Sequence, residues 1–300
     1  MPNVPSLFAE KLRTYRAANG RHGRMTQEQL AEAMGVSVDA VGKYERSLSF
    51  IRGDLEHRLA DCLGWSRDEI LACREDWTAR AGGSHGARYR LLDRTAVDTL
   101  FGGSWRDAAR ASIVLANGVF GDLPGELAAN DRVFTPIYEA HPQHWRAVVH
   151  DGRMVAKWSM LFLMPEDEAL FREGRLLESE LSVDRLRQPI LPGTYFGYCP
   201  ALIVARGHEP AAALLLSSFV AFLESHARRD ILFHGIGTIS CSAGGTQLCR
   251  DLGMTRLTSH CVDPDFGVWT LDGQGIAVSI FARRSGLVAR SYGQAFAAQG

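Results

Sequence analysis

The sequence predicts two domains, an all-α domain followed by an α/β (α+β) domain with a mixed central sheet. Three observations carry this. The chain has 300 residues, beyond a single average domain of roughly 100–200 residues. Residues 1–77 carry only helix-period apolar patterns, whereas strand-like runs of branched and aromatic residues begin near residue 145. Between the two lies a small, polar, glycine-rich stretch, Thr78-Ala79-Arg80-Ala81-Gly82-Gly83-Ser84-His85. The expected division is residues 1–77, a linker over 78–90, and residues 91–300.

Composition narrows the class. Hydrophobic residues make up 46% and charged residues 22%, which excludes a disordered chain, a coiled coil and a collagen. The longest apolar stretch, Ala211–Leu223, is interrupted by Ser217 and Ser218 and is shorter than the about 20 residues a membrane helix needs. The N-terminus has no basic region followed by an apolar run, so no signal peptide is expected, and a cytoplasmic protein is. Cys62, Cys73, Cys199, Cys241, Cys249 and Cys261 form no CxxC pair and are expected to be free thiols. His141 and His144 are expected in solvated or capping roles, and no metal site is assigned. The net charge of -1 points to no particular partner. Residues 1–52, however, hold eight basic against five acidic residues, a surplus of three.

In the first domain, Leu7–Ala18 is an amphipathic helix with Leu7, Phe8, Leu12 and Tyr15 on one face. Arg21-His22-Gly23-Arg24 is a basic loop. Thr26 caps a second helix with Leu30, Ala33 and Met34 inward, and Gly35 stops it. Ser37 caps a third helix from Val38 to about Arg46. Helices over Gly53–Leu63 and Ser66–Trp77 follow. Two short helices joined by a tight glycine-containing turn are the helix-turn-helix signature.

The stretch from Met25-Thr26-Gln27-Glu28-Gln29-Leu30-Ala31 to Gly35-Val36-Ser37, followed by Val41 and Tyr44-Glu45, resembles the Xre-type (phage-repressor-like) helix-turn-helix. That resemblance implies a transcriptional regulator that binds double-stranded operator DNA as a homodimer, with the helix from Ser37 in the major groove. It implies base contacts from Val38, Asp39, Ala40 and Lys43, a phosphate contact from Gln27, and backbone contacts from Arg21 and Arg24. It also implies an ion pair between Arg16 and Glu45 that ties the first helix to the recognition helix.

In the second domain, Ser104–Leu115 and Phe134–Trp145 read as helices, the latter breaking at His141-Pro142. Trp145–His150 and Met154–Leu163 read as strands joined by the turn Asp151-Gly152. A helix-prone excursion over Pro165–Leu181 precedes a strand over Tyr195–Ala205, a long helix over Ala211–Arg228 and a strand over Ile231–Ile239. A helix over Ala243–Leu252 and final strands over Val268–Thr270 and Gly275–Ala282 complete the order.

This order, with the loop Arg206-Gly207-His208-Glu209-Pro210-Ala211 and the segment Leu252-Gly253-Met254, resembles the GNAT acyltransferase fold. The resemblance implies that Arg206, Gly207, His208, Ala211 and Ala212 hold the pyrophosphate of acetyl-CoA or another acyl-CoA at a helix start. The departures are specific. Glu209 stands where that family has glycine, Pro210 lacks an N–H, and the position of a tyrosine general acid falls on Cys249. The Tyr195–Ala205 strand offers no Glu as a base, and Tyr198 and Cys199 read as packing. No catalytic residue is assigned. Three readings of the second domain stay open. It dimerises and senses a small-molecule effector in a cleft between the strands ending at Ala205 and Ile239; it is a DNA-associated acetyltransferase; or it is a ligand-free assembly platform.

Overall fold

The computed structural model describes residues 5–20, 23–51, 55–81 and 89–297, of which 78–81 are described as backbone. The chain divides into two compact units, Met1–Arg90 and Leu91–Gly300.

The first unit is all helical. Its helices are α1 (Leu7–Ala18), α2 (Gln27–Met34), α3 (Val38–Glu45), α4 (His57–Leu63) and α5 (Arg67–Ala81). Local chemistry fixes their ends. The Thr26 side chain accepts from the Gln29 N–H while the Gln29 side chain accepts from the Thr26 N–H, a complete capping box. Gly35 closes α2 in the left-handed region, at φ 60°. Ser37 accepts from the Ala40 N–H and starts α3. Phe8, Leu12, Leu30, Met34, Val41 and Leu59 form the core between them. Two expectations shift here. Ala31 is buried and Ala33 is exposed, so the inward stripe of α2 is Leu30, Ala31 and Met34. The last helix runs to Ala81, four residues into the expected linker, because no glycine or proline interrupts it before Gly82.

The second unit is α/β with mixed pairing. After β1 (Tyr89–Leu91) come α6 (Arg94–Phe101), α7 (Trp105–Phe120) and α8 (Asp131–Ala140). A hairpin of β2 (Trp145–His150) and β3 (Arg153–Ser159) turns at Asp151 and Gly152. Both turn residues have positive φ, 46° and 78°, as this tight turn demands. Then follow β4 (Leu161–Phe162), α9 (Pro165–Arg172), β5 (Gly193–Tyr198), β6 (Leu202–Val204) and α10 (Ala211–Ala227). The chain closes with β7 (Ile231–Ser240), α11 (Ala243–Asp251), β8 (Thr255–Ser259), β9 (Gly267–Asp272), α12 (Gly273–Val278), α13 (Ile280–Arg283) and α14 (Gly286–Ala295).

The strands form two sheets in the orders β1-β2-β3-β6 and β4-β5-β7-β9-β8. Each of two expected single strands crosses from one sheet to the other. Met154–Leu163 breaks at Met160 into β3 and β4, and Tyr195–Ala205 breaks at Cys199–Ala201 into β5 and β6. Parallel pairing of β5 with β7 runs to Tyr198 opposite Gly237. There the chain leaves β7, with Cys199 N–H still bonded to the Gly237 carbonyl at 2.8 Å. Beyond that point β6 pairs with β3, and the end of β7 diverges from it.

Gly275–Ala282 is helical, against the expectation of a strand. Its branched residues suit either state, and the caps decide. Asp272 accepts from the Gly275 N–H and Ser279 from the Phe281 N–H, which starts two short helices.

Close packing of β7 on the rings beneath it leaves no room for a side chain at Gly237. A Cβ there would sit 2.5 Å from the Phe171 ring and 2.6 Å from the Phe196 ring. Gly237→Ala is expected to destabilise the second unit by about 1–3 kcal/mol through overpacking, measured by urea unfolding.

Candidate functional site

The first unit presents an exposed face on α3. Asp39 and Lys43 are exposed, as is Val38. Lys43 and Asp39 pair with each other at 2.7 Å, one turn apart. Both are well exposed, so water and salt screen the pair and it opens readily. Ala40 is half-buried and packs on the helical core, so it contributes less to this face than expected. Ser37 holds the α3 N-terminus, and Arg24 is exposed beside α2. Arg21 and His22 lie outside the described residues.

Beneath this face sits a buried network. Arg16 on α1 and Glu45 on α3 are both over nine-tenths buried and meet through two hydrogen bonds, Nε to Oε1 at 2.5 Å and Nη2 to Oε2 at 2.9 Å. Gln27 Nε2 donates to Glu45 Oε2 at 2.7 Å, and Arg16 Nη1 donates to the Met25 carbonyl. Burial alone would raise the Glu45 carboxyl. The hydrogen bonds from Arg16 and Gln27 outweigh that and hold it below the usual carboxylate range. The side-chain amide of Gln27 is therefore engaged inside the protein, and the group it leaves for a phosphate is its backbone N–H at the α2 N-terminus. Two cations that the sequence reading did not single out flank the same face. Arg13 donates to the Glu45 carbonyl and Arg46 Nε to the Gly42 carbonyl at 3.0 Å. With Gln27, Val38, Asp39 and Gly42 they line one concave surface. Their signal in the sequence was the local surplus of positive charge.

In the second unit, the Arg206–Ala212 loop lies between β6 and α10 as expected, yet its N–H groups are already engaged. Gly207 N–H donates to the Glu209 carboxylate at 2.9 Å. His208, Ala211 and Ala212 N–H donate to the carbonyls of Ala205, His208 and Glu209. Glu209 thus occupies one donor a diphosphate needs, and Pro210 supplies none. Cys249 is buried, which pushes its thiol up to about 11, away from proton transfer near neutrality.

Where β6 and β7 part, a buried polar cluster fills the gap. Lys157 on β3 is 1% exposed, donates to Ser112 Oγ at 3.1 Å and lies 4.2 Å from the centre of the Tyr138 ring. Glu178, buried in a short turn after α9, accepts from the Tyr198 hydroxyl at 2.5 Å. Tyr198 is therefore a polar partner as well as a packing residue. Burial drives Lys157 down to about 7 and Glu178 up to about 8, each toward its neutral form and against their mutual attraction. The cavity they line with Pro200, Ala201, Ile239 and Cys241 has about 20 Å³ of free space, room for one water. The cluster can hold a proton on that scale, and no substrate fits. Sequence reasoning missed it because Lys157 and Glu178 come from separate segments; the signal was a lysine inside a strand run buried on both faces.

His141 and His144 are buried rather than solvated, with rings stacked at 5.1 Å, while His141 does take the capping role, at the C-cap of α8. Among the described residues, no group of His, Cys, Asp and Glu has the arrangement of a metal site.

Comparison with known proteins decides the first unit. Residues 7–72 match the family model described as a helix-turn-helix domain. The N-terminal unit is a helix-turn-helix domain. For the second unit, two solved structures are similar at low identity. One is an N-acetyltransferase from Staphylococcus aureus Mu50, at 9% identity and a TM-score of 0.36, covering 61% of this chain and 98% of that one. The other is the AHL synthase LasI, at 13% identity and a TM-score of 0.35, covering 61% of this chain and 86% of that one. A search of curated proteins finds no match. No helix among the described residues is long and apolar enough to cross a membrane.

Two predictions follow from the buried charges. Glu45→Gln leaves the Arg16 guanidinium buried without its counter-charge, and is expected to destabilise the helix-turn-helix domain by about 3–5 kcal/mol in thermal unfolding. Glu178, whose folded pKa is raised, keeps its proton when folded and loses it when unfolded once the pH exceeds 4.5. Its contribution to stability therefore falls as pH rises from there toward about 8. Between about pH 5 and 7, Glu178→Gln should show a shallower loss of second-unit stability than the parent, by up to roughly 1.4 kcal/mol per pH unit; identical slopes would refute the assignment.

Proposed function

We propose that this protein is a sequence-specific transcriptional regulator. In this reading, α3 of the helix-turn-helix domain enters the major groove of an operator. Lys43 donates to guanine, Asp39 accepts from cytosine, and Val38 meets a thymine methyl group. Ser37 and the Gln27 N–H approach phosphates at two helix N-termini, and Arg13, Arg24 and Arg46 add positive charge along the backbone. The observation that carries the reading is the exposed α3 face fixed from below by the buried Arg16–Glu45–Gln27 network. An exposed recognition surface on a rigid base is what direct readout requires.

The surplus of positive charge is small, and a single module with so few phosphate contacts binds weakly. A homodimer on a two-fold related site answers this, with the second unit as dimerisation and effector module. Acyl-CoA binding at the Arg206–Ala212 loop requires displacement of Glu209 from the Gly207 N–H, so no observation favours the acetyltransferase alternative.

Selection of bound genomic fragments identifies the operator. On that operator, Lys43→Ala is expected to weaken specific binding roughly tenfold to a hundredfold and to relax discrimination at one base pair, with little change on random DNA. Equal losses on both would assign Lys43 to the backbone instead.

A further inference from the structure

A second cavity, of about 310 Å³, opens at the C-terminal end of α10. That volume lies at the lower end of the range for small-molecule sites, about 300–1,000 Å³. Helix α10 is 17 residues long, so this end stands about 25 Å from the Arg206–Ala212 loop at its other end. The site is distinct from that loop and from the Lys157–Glu178 cluster.

Its walls are unusual in charge. Three imidazoles, His141, His144 and His226, and two guanidinium groups, Arg146 and Arg229, line it, and no carboxylate does. Arg146 Nη1 donates to the carbonyls of Pro142, Gln143 and Trp145. Neither Arg146 nor Arg229 has an acidic partner among the described residues. Elsewhere in this protein arginines pair freely with acids, as Arg106 does with Glu139 and Arg185 with Asp167. Two arginines without an acidic partner facing one cavity make its wall positive.

The imidazoles are set up to meet an acceptor. Gln188 Nε2 donates to His141 Nε2 at 2.7 Å, which puts the His141 proton on Nδ1. His226 Nδ1–H donates to the Phe222 carbonyl at 2.9 Å and leaves Nε2 unused. The key residue is His144. It is 7% exposed, lines the cavity, and its ring makes no hydrogen bond to any described residue. It is held instead by rings, with His141 stacked on it and Phe162 at 4.9 Å. Its ring nitrogens border the cavity rather than being sealed away from it, so the N–H is free to donate to an acceptor there. Burial, the neighbouring imidazoles and Arg146 depress the His144 pKa, and a bound anion would counter the repulsion from those neighbours.

We infer that this cavity binds a small organic anion through phosphate or carboxylate groups, with Arg146, Arg229 and the three imidazoles as its partners. Guanidinium forks match both groups bidentately, and the stacked rings with Phe222 supply flat walls for the carbon skeleton.

Isothermal titration of the full-length protein with citrate and with glycerol 3-phosphate tests this and separates carboxylate from phosphate chemistry. The expected result is saturable binding of at least one of them, one per chain, with glycerol inert. Arg229→Ala removes an exposed side chain and leaves the fold intact; it should weaken binding at least tenfold. His144→Phe keeps the ring stack while removing the nitrogens, and should weaken binding by a similar factor. Arg256→Ala, an exposed arginine on β8 outside this cavity, should leave it unchanged. Absence of saturable binding for both probes, equal binding of glycerol, or parental affinity in both site variants would overturn the inference.

Discussion

A charge taken out of water must be paired or neutralised, and each unit of this protein is built around one of those answers. In the helix-turn-helix domain the answer is pairing. Arg16 and Glu45 lie on helices that are far apart in sequence and cannot both be buried unless α1 and α3 adopt one relative position. Gln27 adds the start of α2 to the same lock. The three elements that would meet DNA are thereby referred to a single buried carboxylate. A small core supplies the driving force, but apolar packing alone tolerates sliding, whereas a bidentate guanidinium–carboxylate pair does not.

In the second unit the answer is neutralisation. Two strands cross between sheets at Met160 and Cys199–Ala201, and the resulting gap buries Lys157 and Glu178 without bringing them into an ion pair. Each is left with neutral hydrogen-bonding partners, Ser112 and Tyr198. The gap holds space for little more than a water. The larger, positively lined cavity lies at the C-terminal end of α10, where arginines have no acids to meet.

How much of this was legible in the sequence depended on the range of the interaction. The limits of α1, and the caps at Thr26, Gly35 and Ser37, are set by neighbours within four residues, so local patterns sufficed. The hairpin at Asp151 and Gly152 was legible for the same reason. The Arg16–Glu45 pair was legible through resemblance to a known motif. What failed was non-local. Alternation does not report a strand that changes sheets midway, and branched residues over Gly275–Ala282 mimic a strand until Asp272 and Ser279 cap them as helices. Gln27 kept its expected place while its amide turned inward. The solvated role expected of His144 failed because rings of α10, Phe222 and His226, pack on it from some eighty residues later.

In the proposed function α3 reads the major groove. Dimethyl sulfate interference on the selected operator tests it most directly, because the reagent modifies guanine N7 in the major groove and adenine N3 in the minor groove. Interference is expected at guanines clustered in two half-sites about 34–36 Å apart, or a multiple of that, with adenines between them silent. Interference confined to adenines, or none at all on DNA that the full-length protein binds tightly, would contradict it.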